Sequence, residues 1–330
     1  MKSLMQNSKT KIDNKIIGLL FEDSRLSFAD IAQQLNISRN AVWNRYNKLV
    51  KEGIITGSTV QINYKKLGYD AVATILLDVD PSKLEEVNAY IKTEIPNAFG
   101  PFIRASTYNM RFVVTLKTIS EIGKIKEEIR KKLGIVDIGS SLWTDVWFTP
   151  ENLSLLPIRP IQLSNKKSTD ITIFDVDDLY LKIIGEMADD SQKSFRFIAK
   201  KLKVSVYTII RRYETLKNQG IIVPRIQINP AKIGYSAQTN FSMRILPNYN
   251  IDDVIKEIIP LEDVFYIMKC TGEFNLNVLL MVKNTEDLLR SGDYFGRIPG
   301  IKRIETMPSA TSPKWPLPRT YTSTVSRNLA

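Results

Sequence analysis

Residues 16–55 read IIGLLFEDSRLSFADIAQQLNISRNAVWNRYNKLVKEGII, and residues 183–222 read IIGEMADDSQKSFRFIAKKLKVSVYTIIRRYETLKNQGII. The two stretches align without a gap, and one gap later residues 61–69 align with residues 227–235. A repeat of this kind is a whole domain pair rather than a solenoid unit of roughly 20–50 residues. We infer that the chain carries two covalently joined copies of a unit that once worked as a dimer.

Each copy begins with the pattern of a winged helix-turn-helix. In the first copy, apolar residues at helical spacing predict a helix over about 12–20. Ser27 and Ser38 are N-cap residues for two further helices, and Gly53 is placed to end the last of them. Residues 54–62 predict a small two-stranded wing.

The third helix of the first copy has one apolar and one polar face. Arginine and asparagine side chains have the geometry to read base edges in a major groove, and a serine at the helix N-terminus can hold a phosphate. Trp43 suits either a thymine methyl group or a gap between domains. The alternative is a solvated helix face. We expect DNA contacts from Ser38, Arg39, Asn40, Trp43, Asn44, Arg45 and Lys48.

The third helix of the second copy offers fewer base-reading groups and more apolar ones. Lysines and arginines around it keep the unit basic, which favours phosphate contacts with a weak or different base preference. The alternative is a degenerate unit that packs on protein. The DNA-binding candidates in this copy are Lys200, Lys201, Ser205, Tyr207, Arg211 and Arg212.

A second pattern follows each winged helix-turn-helix. Residues 71–148 predict the order βαββαβ, and residues 237–307 repeat it, which is the ferredoxin-like arrangement. The predicted fold class is therefore α+β, with two copies of a winged helix-turn-helix followed by a ferredoxin-like domain. Because such a sheet has helices on one face only, we expect the second sheet to cover the free face of the first.

The predicted domain boundaries follow from these patterns and from proline-rich segments. Residues 11–66 and 173–232 form the two winged helix-turn-helix units, and residues 67–150 and 233–308 form the two ferredoxin-like sensing domains. Residues 151–172 are expected to be a linker, and residues 309–330, rich in Pro, Ser and Thr, a disordered tail.

The composition narrows the classes of function. The 330 residues include 46 Lys and Arg against 35 Asp and Glu, and the net charge of +11 favours a polyanion such as double-stranded DNA. One cysteine and no histidine are present, which removes the commonest metal ligand and general base. We expect no catalytic residues, metal site or cofactor. No apolar run of about 18 residues occurs, so we expect a cytoplasmic protein with no membrane partner.

The order of these units resembles the Lrp/AsnC, or feast/famine, family of transcriptional regulators, in a tandem-duplicated, archaeal-type version. The resemblance implies sequence-specific DNA binding and transcriptional control, often tuned by an amino acid that binds between sensing domains. The residues that carry it are Ser38, Arg45, Leu49, Gly53, Ile54, Ile55, Gly68 and Tyr69, and in the second copy Ser205, Arg212, Leu216, Gly220, Ile221, Ile222, Gly234 and Tyr235.

A stretch of the second sensing domain, residues 271–276, resembles the family's signature turn. By this resemblance the effector site would include Thr271, Gly272 and Asn275, with Gly272 permitting close approach of a ligand to the backbone. A plain turn glycine is the alternative. In the first copy residues 106–110 lack this glycine.

Two other classes of function stay open. The siroheme decarboxylases are similar to this chain in their two-domain architecture, and they resemble heterodimers of related halves. Those enzymes are thought to use histidine, which this chain lacks. The third class is an effector-binding protein that has lost DNA binding. Self-association is expected between the sensing domains of one chain, and pairing between chains is left open.

Overall fold

The computed structural model describes residues 2–95, 97–103, 108–131, 134–156, 158 and 173–317. Its first half contains α1 (Lys2–Glu22), α2 (Phe28–Leu35), α3 (Arg39–Lys51), β1 (Ile55–Ile62), β2 (Ala71–Val79), α4 (Leu84–Glu94), β3 (Ala98–Ile103), β4 (Met110–Leu116), α5 (Glu121–Arg130) and β5 (Ile135–Phe148). Its second half contains α6 (Asp178–Asp189), α7 (Phe195–Leu202), α8 (Val206–Asn218), β6 (Ile222–Ile228), α9 (Pro230–Ile233), β7 (Ala237–Ile245), α10 (Ile251–Ile258), β8 (Val264–Cys270), β9 (Leu276–Val282), α11 (Thr285–Arg297) and β10 (Ile301–Ser309).

The structure has three helices in each head, α1–α3 and α6–α8, as the sequence predicts, but α1 begins at Lys2, about ten residues before the predicted start. Ser38 Oγ accepts a hydrogen bond from the Ala41 amide, and Ser205 Oγ accepts one from Thr208. These bonds satisfy N–H groups that a helix start leaves without a partner. Gly53 and Gly220 follow α3 and α8 with φ angles of +70° and +61°, a conformation that favours glycine and turns the chain into the next strand.

The wing differs from the prediction. Residues 54–62 do not form a hairpin of their own, since β1 is one continuous strand that pairs antiparallel with β6 of the other head. The two strands form a separate two-stranded sheet, which we call the head ribbon. A single exposed hairpin is only marginally stable in water, whereas the head ribbon is buried between two helical units.

The two ferredoxin-like sheets also join in an unexpected way. They form one eight-stranded sheet in the order β10-β7-β9-β8-β5-β2-β4-β3, because the long β5 pairs with β2 along its first part and with β8 along its last. The expected stacking of two separate sheets is therefore wrong. Edge-to-edge joining satisfies the main-chain groups of β5 and β8 that two separate sheets would leave unpaired.

Side chains alternate between the two faces of this sheet. On β2, Ala73, Ile75 and Leu77 are buried with the apolar residues of α4 and α5. Their neighbours Thr74 and Leu76 point to the opposite face, where residues from strands at both ends of the sheet line one cavity. The sheet is thus curved around this cavity, with helices on its outer face.

The segment after β10 corrects the prediction of a disordered tail from residue 309. Residues 310–317 cross the molecule, and the backbone of Trp315 exchanges two hydrogen bonds with Ile228 of the head ribbon, at 2.7 and 2.9 Å. The Trp315 ring is buried, stacks on Phe21 at 5.3 Å and meets the edge of Phe265 at 5.6 Å. We call residues 310–317 the C-terminal strap. Residues 318–330 lie outside the described residues.

The predicted linker is only partly described. Residues 150–152 form a short 3-10 helix, and Leu153, Leu156 and Ile158 are buried in the core that joins the heads to the sheet. Residues 159–172 lie outside the described residues. Within the described ranges, no helix combines the length and the apolar character that crossing a bilayer requires.

Trp315→Ala should lower the free energy of unfolding by about 3–5 kcal/mol, because it removes a large side chain that is only 5% exposed. Trp43→Ala is the matched control. Trp43 is 55% exposed, so its loss should change that free energy by no more than about 0.5 kcal/mol. Urea unfolding followed by circular dichroism measures both, and equal midpoints for the two variants would contradict the strap's structural role.

Candidate nucleic-acid interface and central cavity

The two heads contact each other through residues at matching positions of the sequence. Ser24 and Ser191, which align in the repeat, are buried and their hydroxyl groups lie 2.7 Å apart. In the head ribbon Thr59 stands opposite Arg225, and these positions also align in the repeat. Contacts between residues at matching positions are typical of a two-fold pair.

The polar face of α3 is open to solvent. Val42 and Leu49 are buried against the rest of the head. The exposed residues of α3 include most of the predicted base readers, namely Arg39, Asn40, Trp43, Asn44 and Lys48. Ser38 caps the helix, so its oxygen is already engaged by the Ala41 amide. This exposed side carries the hydrogen-bonding groups that a major groove accepts.

Two arginines predicted to contact DNA point back into their own heads. Arg45 Nη1 lies 2.7 Å from Asp13 Oδ1 of α1, and both side chains are largely buried. Arg212 lies 2.6 Å from Asp177 and 4.3 Å from the centre of the Tyr180 ring. The hydrogen bond from Arg212 lowers the pKa of Asp177. The structure thus corrects the prediction for Arg45 and Arg212, since both guanidinium groups hold the first helix of a head to the third.

The basic residues of the second head differ in their solvent exposure and in their ion pairs. Lys200 and Arg211 are exposed, whereas Lys201 Nζ lies 2.5 Å from Glu186, which Lys193 also contacts at 3.3 Å. The hydrogen bond from Lys201 lowers the pKa of Glu186. Ser205 caps α8, and Tyr207 is highly exposed beside it. Lys201 therefore carries a partly neutralised charge.

A buried arginine of the head ribbon was not among the predicted functional residues. Arg225 donates hydrogen bonds to Gln61 Oε1 and, at 2.6 Å, to the Phe21 carbonyl at the end of α1, where the helix dipole favours a cation. Its guanidinium lies 4.8 and 5.7 Å from the centres of the Phe21 and Phe148 rings. Burial lowers the pKa of Arg225 to about 10. The sequence gives no signal for it, because its aligned partner in the repeat is Thr59.

The central cavity lies on the concave face of the sheet and has a volume of about 1070 Å³. The head ribbon and the C-terminal strap close one side of it through Gln61 and Trp315. Aromatic rings and two arginines give it a mixed character. Its lining includes Thr74, Phe99, Arg111, Trp143, Phe148, Tyr266, Met268, Asn277, Leu279, Arg303 and Glu305.

The three predicted effector residues have different surroundings. Thr271 and Gly272 line the cavity, and Gly272 has a φ of +107° with open space where a Cβ would stand. Thr271 also joins β5 to the β8–β9 turn, since its backbone and hydroxyl both bond to Leu142. Gly272 therefore serves the turn conformation and leaves room beside it.

Asn275 does not line the cavity among the described residues, which corrects its assignment as a ligand contact. Its side-chain amide exchanges two hydrogen bonds with the backbone of Ile245, at 2.8 and 3.1 Å. In the first half Asn109 binds the backbone of Val79 in the same way. Since both halves use the same amide to hold neighbouring strands together, the role of Asn275 is structural.

A family model described as a winged helix-turn-helix DNA-binding domain matches residues 9–56. The regulator Ptr1 of Methanocaldococcus jannaschii is 34% identical over 148 residues, which are 45% of this chain and 98% of Ptr1. The HTH-type transcriptional regulator PH0140 of Pyrococcus horikoshii is 34% identical over 41% of this chain and 86% of its own length. The chain belongs to the family of HTH-type transcriptional regulators. The expectation of an Lrp/AsnC-like regulator is confirmed at this level.

Other relatives match over only part of their length, or match in fold at low sequence identity. The chain spans about half the length of two further Pyrococcus relatives, 54% of PF1734 and 55% of PYRAB04820. The crystal structure of the siroheme decarboxylase NirDL superimposes on this chain with a TM-score of 0.62 and 18% sequence identity. The match covers 95% of this chain and 95% of NirDL. At that identity the match shows a shared overall fold.

Arg45→Gln should lower the free energy of unfolding by about 1–3 kcal/mol, because it leaves the buried carboxylate of Asp13 without its charged partner. Arg39→Ala, on the exposed face of the same helix, should change it by no more than about 0.5 kcal/mol. Thermal unfolding measures both. The double variant Asp13→Asn with Arg45→Gln should lose less than the sum of the single variants, and strict additivity would argue against the ion pair.

Proposed function

We propose that this chain binds double-stranded DNA in a sequence-specific manner and regulates transcription, with α3 as its principal reading helix. The observation that carries this proposal is the exposed face of α3, where Arg39, Asn40 and Asn44 stand on a winged helix-turn-helix. These side chains form paired hydrogen bonds with guanine and adenine edges in a major groove. The net charge of +11 supports the same partner.

The chain acts in this proposal as a tandem duplication, a dimer within one polypeptide. The contacts between aligned residues, Ser24 with Ser191 and Thr59 with Arg225, support it. Arg25 strengthens the pairing because its guanidinium lies 3.9 Å from the centre of the Phe195 ring of the other head and donates to the Lys193 carbonyl. A covalent pair keeps both heads together at any protein concentration.

We place the heads at residues 11–66 and 173–232 and the sensing domains at 67–150 and 233–308. Three-helix units with their caps and the head ribbon support the first pair of ranges, and the two βαββαβ orders support the second. The C-terminal strap belongs functionally with both, since it touches the head ribbon and the cavity.

The central cavity is the proposed effector site, with Thr271 and Gly272 at one of its edges. Ligand cavities for drug-sized molecules have volumes of roughly 300–1,000 Å³, so this cavity accepts an amino acid together with water, or one much larger molecule. A second candidate function follows from that size. The NirDL fold match includes a structure of the enzyme in complex with an iron-uroporphyrin III analogue, and a tetrapyrrole is a ligand of the larger kind.

Arg39→Ala and Asn44→Ala should each relax base preference by about 1–3 kcal/mol per lost base contact, while Lys200→Ala should weaken binding to all sequences alike and reduce its salt dependence. The measurement is fluorescence anisotropy of the full chain on its own upstream region and on random duplex, at two salt concentrations. Arg211→Ala serves as the comparison in the second head. Equal loss on both duplexes for Arg39→Ala would reject base reading by that residue.

Effector binding should be saturable and confined to the cavity. Equilibrium dialysis with each amino acid, and absorption spectra with iron-uroporphyrin III, distinguish the two candidates, because a bound tetrapyrrole shifts the Soret band. Leu76→Trp places a larger side chain in the cavity from the concave face of β2. It should lower the affinity for the probe at least about ten-fold. It should leave DNA affinity without ligand unchanged. A Soret shift with decarboxylation would favour the enzyme over the regulator.

A further inference from the structure

The exposed face of α8 is more apolar than that of α3, since Val206 and Tyr207 stand where α3 has a charged and an amide side chain. Val206, Tyr207 and Ile210 are 38%, 74% and 40% exposed, and they stand at the positions that Arg39, Asn40 and Trp43 occupy in the first head. Phe197 of α7 is also 54% exposed. The difference between the two heads is therefore concentrated on the surface that a helix-turn-helix presents to DNA.

These exposed residues are not part of the core of the second head. The core face of α8 consists of Ile209, Tyr213 and Leu216, which are all buried. Residues 206, 207 and 210 lie within the first two turns of the helix, three and four positions apart, and so share one side of it. Exposed apolar side chains that cluster in this way usually mark a binding surface.

The charges around this apolar patch indicate the chemistry of its partner. Exposed basic side chains lie on the same two helices and at the end of α7, namely Arg196, Lys200, Lys203 and Arg211. The acidic residue on the same helix, Glu214, lies beyond the patch toward the C-terminal half. An apolar centre with a basic border fits a duplex, whose phosphates flank the groove.

Base edges in the major groove present one apolar group, the C5-methyl of thymine. We propose that the second head reads an A·T-rich half-site through thymine methyl contacts from Val206, Tyr207 and Ile210, while the first head reads its half-site through hydrogen bonds. This rests on the proposed function. The operator is then asymmetric although the two heads contact each other through residues at matching positions, because matching helices carry different recognition chemistry.

The test replaces thymine by uracil, which keeps the hydrogen-bonding edge and removes only the methyl group. A site is first selected from a random duplex library with the full chain. The half-site at which Arg39→Ala loses its base preference is assigned to the first head. Uracil in the other half should weaken binding about four-fold per methyl contact, the change that corresponds to ~0.8 kcal/mol for a buried methylene.

Two variants separate this reading from other roles of the patch. Ile210→Ser should reduce the uracil effect by about four-fold, the share of one methyl contact, whereas Arg39→Ala should retain the full effect in the second half-site. Both positions are exposed, so circular dichroism should show unchanged folding.

The possible failures are distinguishable. Specific binding without any effect of uracil would overturn the inference and leave the proposed function standing. The same holds if Tyr207→Ser and Ile210→Ser leave affinity for the selected site unchanged, which would point to a protein partner for the patch. Absence of any salt-sensitive duplex binding would overturn both.

Discussion

The pairing of β1 with β6 is the contact on which the rest of this molecule depends. It joins two helical units into one body, with Ser24 and Ser191 in contact between them. At its centre Arg225 is buried without an acidic side chain bound to it among the described contacts, and it relies on Gln61, a helix-terminal carbonyl and two aromatic rings. Removing such partners from a buried charge is costly, so the head ribbon tolerates little rearrangement around this residue.

The same ribbon connects the heads to the cavity. Gln61 accepts a hydrogen bond from Arg225 and also lines the cavity. Trp315 bonds to Ile228 of the head ribbon through its backbone and also lines the cavity. A molecule in the cavity would therefore lie against residues that hold the heads in register. The cavity and the head pair form one packed region, with apolar residues of both in a single core.

The serine-capped helix starts and the core face of each head were predictable because they depend on local chemistry. Ser27 and Ser38 cap helices as expected, and Ser194 and Ser205 cap the matching helices of the second head, since a serine oxygen needs only the amide three residues ahead. The roles of Arg45, Arg212 and Asn275 were not predictable. Each bonds to a group brought close by the fold, namely Asp13, Asp177 and the backbone of Ile245.

The amino-acid sequence by itself determined the winged helix-turn-helix at residues 9–56, the order of strands and helices, and the different side chains on α3 and α8. These follow from periodicity, capping and side-chain identity, which act over a few residues. Only the tertiary structure decided that the wings pair with each other, that β5 joins two sheets into one, and that the C-terminal strap closes a cavity. Strand partners are chosen by main-chain hydrogen bonding and burial between distant segments, and a strand's own residues do not specify which edge it will meet.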